Sequence, residues 1–101
     1  MVTNKQQVIN TLKQNSRQLK EFGVEKMGIF GSFVSGMQNN NSDVDLLVQF
    51  KKGQKNFRNF MGTADLTEAL LGRNVDLLTP ESLSPYIGPR IEKEVEYVQI
   101  A

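Results

Sequence analysis

Two aspartates one residue apart, Asp43-Val44-Asp45, are the side chains of this sequence best suited to chemistry. They open an apolar run, Leu46-Leu47-Val48. The period of two of a β-strand puts both carboxylates on one face and turns Val44 and Leu46 to the other, into the core. Carboxylates side by side repel, and a divalent cation offsets that most directly. Mg²⁺ in particular is held by one or two carboxylates shared with substrate phosphates. Upstream, Gly31-Ser32 ends a second apolar run, Met27-Gly28-Ile29-Phe30. Glycine lets the backbone come close to a ligand. Ser32 stands where a short helix would begin, so the amides there suit a phosphate. The stretch from Gly31 to Asp45 therefore has a phosphate side and a metal side. The plainer alternative is that Asp43 caps a turn and Gly-Ser is an ordinary bend. The two features together, at this spacing and each tied to an apolar run, favour the site.

The elements that must position these residues follow from periodicity. Residues 3–21 carry apolar Val8, Ile9, Leu12 and Leu19 among Lys, Arg and Gln, the pattern of an amphipathic helix that covers a sheet. Thr3 or Asn4 suits its start and Gly23 its end; Lys13, Arg17 and Lys20 form its solvated face. Val24 to Phe30 reads as the first strand and Asp43 to Phe50 as the second, joined by a helical turn (31–36) and a polar loop with Asn39-Asn40-Asn41. Lys51-Lys52-Gly53-Gln54-Lys55 is a solvated turn whose charges could also hold a polyphosphate. Asn56 to Leu71 reads as a helix with Phe57, Phe60, Met61, Ala64, Ala69 and Leu70 on or near one face. Its aromatic residues are expected in the core, a partner interface being the alternative. Gly62-Thr63 weakens the middle of that helix and allows a bend, and Gly72 stops it. Asn74 to Thr79 is a third strand on which Asp76 opposes Val75 and Leu77, so its carboxylate is expected on the site-facing side. Pro80 opens a helical turn, and a last helix over 84–94, interrupted near Gly88-Pro89, precedes a short strand over 96–100. The fold class is α+β: one small mixed sheet of three to four strands packed against helices, in a single domain over 1–101.

Composition narrows the chemistry further. The 101 residues include no Cys and no His, which excludes thiolate and imidazole catalysis and leaves only oxygen ligands for a metal. The net charge of +1 offers no electrostatic case for direct nucleic-acid binding. No apolar run approaches the length of a membrane span, and no h-region follows the first residues, so a cytoplasmic protein is expected.

Gly31-Ser32, ten residues, then Asp43-x-Asp45 resembles the nucleotidyltransferase pattern of the DNA polymerase β superfamily. With the run Asp43-Val44-Asp45-Leu46-Leu47-Val48, the chain looks most like the minimal nucleotidyltransferase (MNT) proteins that pair with HEPN ribonuclease toxins. The resemblance spans about residue 20 to the C-terminus. It implies the polymerase β-like fold, Asp76 as the third carboxylate, and Gly31 and Ser32, with Asp43 and Asp45, as the nucleotide-binding set. The chemistry it implies is phosphoryl transfer. Asp43 and Asp45 would hold Mg²⁺ against the triphosphate, with Asp76 as general base or as a further metal ligand. ATP would be the donor, a Tyr hydroxyl on the HEPN toxin the acceptor, and the partner complex a hetero-oligomer. One departure stands out. Relatives of that family often carry Ala-Arg where this chain has Val34-Ser35, and an Arg there would reach a triphosphate. Arg90 is open between binding phosphate and pairing with Glu94.

Two other functions fit the same residues. The chain could silence its toxin by occlusion alone, which the missing Arg favours and the three aspartates oppose. It could also modify a small molecule, for which it is short of material to build an acceptor pocket.

Overall fold

Alternation of apolar residues along four segments builds one sheet. The computed structural model describes residues 1–101, and its strands are β1 (Val24–Phe30), β2 (Val44–Phe50), β3 (Val75–Leu78) and β4 (Glu96–Gln99). Their order is β3-β2-β1-β4. β1 pairs antiparallel with both β2 and β4, and β2 pairs parallel with β3, so the sheet is mixed and the fold α+β as expected. The parallel pair needs a crossover, which α4 (Phe57–Leu71) provides.

The helices α1 (Lys5–Gln14), α2 (Ser16–Glu21) and α4 supply one covering layer. Val8, Leu12, Leu19 and Leu71 from these helices meet Met27, Ile29, Val44, Leu46 and Val48 from the strands in one core cluster. The opposite face holds a much smaller cluster of Phe30, Leu47 and Ile91, the last from α5 (Gly88–Glu94). No helix is long and apolar enough to cross a membrane.

Four details depart from the sequence reading. The single N-terminal helix is two, separated at Asn15, whose side-chain amide donates to the Thr11 carbonyl at 2.8 Å. Such a residue competes with the helix by bonding its backbone locally. In β1 the register shifts between Val24 and Lys26, so Val24 and Met27 share the covered face although strict alternation would separate them. In α4 the buried stripe is Asn59, Thr63, Thr67 and Leu71, and Phe57, expected in the core, is 81% exposed. The polar members of that stripe are satisfied at once: the Thr63 hydroxyl donates to the Asn59 carbonyl and the Thr67 hydroxyl to the Thr63 carbonyl. α4 runs unbroken through Gly62, and the Phe22 ring packs where a Cβ on that residue would be. Finally, Gly88-Pro89 starts α5 rather than interrupting a longer helix, since proline at a first helical position loses no bond.

Candidate active site

The site forms on the thinly covered face, and the strand register makes it. Asp45 pairs laterally with Phe30 of β1 on one side and with Asp76 of β3 on the other. Residues in register on neighbouring strands point to the same face, so Asp45 and Asp76 stand side by side; Asp43, expected to open the strand, lies exposed just before β2 begins at Val44, close enough for its charge to act on Asp45. Asp76, exposed on β3, is the register partner of Asp45, and Val44, Leu46 and Leu77 turn to the core as the alternation required.

The electrostatics agree with the geometry. Burial pushes the Asp45 carboxyl up to about 6, and the neighbouring charges of Asp76, Asp43 and Glu94 push in the same direction. Glu94 is the residue the sequence reading did not place in the site. It sits at the end of α5 and its carboxylate accepts the Gly31 N–H at 3.2 Å. Arg90 forms no ion pair with it; the ion pairs of the structure are Lys5–Glu96 and Lys55–Glu81. The second of these ties the basic turn to the short helical turn Pro80–Ser82 rather than to the site. A carboxylate contributed across 63 residues of sequence leaves no local signal, which is why Glu94 was not legible.

Gly31 is required for two reasons. Its φ of +74° is a conformation glycine adopts without strain, and a Cβ on it would collide with the Asp45 carboxylate oxygen. The Gly31 backbone thus lies directly against the Asp45 carboxylate. The short helix α3 (Ser32–Ser35) begins there, and its first amides, at Ser32 and Phe33, have no carbonyl a turn behind them. Ser35 is exposed, and its hydroxyl donates back to the Ser32 carbonyl at 3.3 Å. The loop that follows closes on itself: Asn39 N–H donates to the Ser42 hydroxyl at 2.9 Å and Asn41 N–H to the Asn39 side chain at 2.8 Å.

Two open cavities flank the carboxylates. A polar one of about 480 Å³ lies beside Asp43, lined also by Asn40, Glu68, Arg73 and Asn74. A more apolar one of about 570 Å³ lies beside Gly31 and Glu94, against Ile87 and Arg90. No group of three or more carboxylates is placed to hold a metal ion. A Mg²⁺ ion held by only one or two carboxylates would keep several waters and take its remaining oxygens from substrate. The concentrated negative charge around Asp45 is the feature such a cation would neutralise.

The sequence profile of the nucleotidyltransferase domain matches residues 7–98. The protein adenylyltransferase MntA of Thermococcus cleftensis is 37% identical over 94 residues, which covers 92% of this chain and 94% of that protein. A candidate minimal nucleotidyltransferase of known structure superposes with a TM-score of 0.70 at 26% identity, over 87% of this chain and 93% of its own. A toxin–antitoxin crystal structure with AMP-PNP superposes with a TM-score of 0.65 at 22% identity, over 98% of this chain and 73% of the matched one, a likeness of fold.

Proposed function

Because the chain belongs to the nucleotidyltransferase domain family, we propose that it is a protein adenylyltransferase and the antitoxin of a HEPN ribonuclease toxin, transferring AMP from ATP to a toxin tyrosine. The observation that carries this reading is the lateral pair Asp45–Asp76 with the Gly31 backbone packed on it. The adenylyltransferase relative and the toxin–antitoxin neighbour with AMP-PNP support the donor and the kind of partner. The same reading has the reaction in the cytoplasm, where ATP and Mg²⁺ are at hand.

Asp43 and Asp45 would hold Mg²⁺ together with the triphosphate, with Asp76 as base or as a further ligand. When bound, the cation neutralises charge on the triphosphate and stabilises the attacking and leaving oxygens. The residues of the chain do the rest. Ser32 and the first amides of α3 orient the β- and γ-phosphates. The Gly31 N–H donates to Glu94 beside them. The tyrosine oxygen forms a bond to the α-phosphorus as the bond to pyrophosphate breaks. Asp76, beside Asp45, takes the hydroxyl proton. A carboxylate in that position contributes about 10²–10⁴-fold as a base.

Intact mass spectrometry of the co-expressed toxin tests this. With ATP and Mg²⁺ its mass gains one AMP unit or a small multiple, and Asp43→Asn abolishes the gain. A toxin of unchanged mass that stays bound and silent would overturn the enzymatic reading in favour of occlusion. Transfer to small hydroxyl compounds by the chain alone would point to a small-molecule acceptor.

A further inference from the structure

Arg73 is the buried cation of this protein, and the chemistry above does not use it. It is 8% exposed, whereas Arg17, Arg58 and Arg90 are all exposed. A guanidinium out of water is costly unless its donors are satisfied, and no carboxylate pairs with this one. Its partners are backbone carbonyls instead. Nε donates to Val2 at 2.7 Å, and Nη1 donates to both Asn39 and Ser42 at 2.8 Å. Its carbon centre lies 5.0 Å from the centroid of the Phe33 ring, a cation–π distance.

These partners fall at the two ends of one segment. Phe33 is in α3, next to Ser32 on the phosphate side; Ser42 immediately precedes Asp43 on the metal side. Between them lies a loop otherwise held by bonds within itself and by one bond from the Gln38 side chain to the Thr3 carbonyl at 3.3 Å. We infer that Arg73 is a positioning residue. It buckles the Phe33–Ser42 segment so that the α3 amides and the Asp43 carboxylate stand at the separation one metal–triphosphate unit requires. The planar fork explains why arginine stands there. Nε holds the Val2 carbonyl while Nη1 holds those of residues 39 and 42 and the carbon centre lies over the Phe33 ring, and an ammonium, with all its donors on one nitrogen, cannot reproduce that.

The inference rests on Asp43 being a metal ligand, and the test separates the two. Mn²⁺ is titrated by electron paramagnetic resonance into the protein together with AMP-PNP. Arg73→Lys keeps the charge and loses the fork, and is expected to weaken Mn²⁺ about tenfold, the scale on which groups that orient metal ligands act. Val48→Ala, a core variant that loses stability far from the loop, is expected to bind Mn²⁺ like the unmutated protein. An Arg73→Lys protein that binds Mn²⁺ undiminished, while Asp43→Asn does not bind it, would overturn the positioning role alone. Undiminished binding by Asp43→Asn would overturn the metal assignment itself. A measurement on the unmutated protein stands should Arg73→Lys fail to fold. The Arg73 Nε–H must exchange with solvent far more slowly than those of Arg17, Arg58 and Arg90, and equal rates would overturn the clamp.

Discussion

On β2, Val44, Leu46 and Val48 turn to the face that α1, α2 and α4 cover, while Asp45 and Leu47 turn to the face that α5 covers only in part. The covered face holds the larger apolar cluster, 15 buried residues. The other combines a three-residue apolar cluster with carboxylates that push Asp45 up to about 6. One strand therefore carries a stabilising edge and a destabilising one, residue by residue. Most of the apolar burial lies on the first, and the second holds crowded negative charge. Sites kept at some cost to stability are a general feature of functional proteins.

Neighbouring substitutions on β2 pull the two faces apart. Asp45→Asn removes the central carboxylate and is expected to lower transfer about 10³-fold, the scale of losing one electrostatic stabiliser of a transition state. The same variant should melt higher than the parent at neutral pH without nucleotide, because the crowded charge is gone. Leu46→Ala, one residue on, should do the reverse in stability. It opens a cavity in a fully buried position and is expected to cost about 2–5 kcal/mol. Rates measured well below its melting point should stay near those of the parent. Thermal melts and single-turnover rates on both variants check the contrast. A destabilised Asp45→Asn would mean that the carboxylate makes a stabilising bond the geometry does not reveal.

A smaller effect sharpens the same contrast through pH. The Asp45 carboxyl stands at about 6 in the folded protein against 3.8 for the free group. Between those values the unfolded chain has already lost the proton that the folded chain keeps. The stability this group contributes is therefore complete below pH ~4 and is lost as pH rises through about 6. The carboxyl is only partly buried, so solvent screening reduces the change to about 1 kcal/mol. Denaturant melts from pH 4 to 7 should show the decline in the parent and a flatter profile in Asp45→Asn. Mg²⁺ with AMP-PNP should flatten it in the parent. A decline of equal size in the variant would assign it to another group.

Which parts of this were legible in the sequence follows the range of the interactions. The strands, the α4 stop at Gly72, and the three aspartates with Gly31 and Ser32 are local patterns of alternation and turn chemistry, and the register brings Asp45 and Asp76 together. The register shift in β1, the break at Asn15 and the polar buried stripe of α4 were not legible. Each depends on a specific hydrogen bond or on tertiary packing that overrides the local preference. Glu94 and Arg73 were missed for the same reason. Glu94 reaches Gly31 from a distant helix, and Arg73 grips carbonyls 31 and 34 residues away along the chain. A charged residue directly after a helix-stopping glycine, between two functional segments, is the signal that could have singled out Arg73.

The smallest expected effect concerns Ser35, at the end of α3. Ser35 is exposed, with its hydroxyl turned back to Ser32, so it presents no charge to a triphosphate. Ser35→Arg would add a guanidinium on the phosphate side without touching the carboxylates or the core. In that solvated position the gain is of the order of an exposed ion pair, about 0.5–1 kcal/mol, which corresponds to a two- to fivefold lower KM for ATP. It should shrink as salt is raised, since the charge is screened. Because the added contact is to the bound triphosphate rather than to the charge that develops during transfer, kcat should change less than KM. Initial rates over a range of ATP concentrations at low and high salt decide it. A rise in kcat at constant KM would mean that the side chain acts in the transition state. In that case the serine, rather than the crowding of the carboxylates, sets the limit on this enzyme's rate.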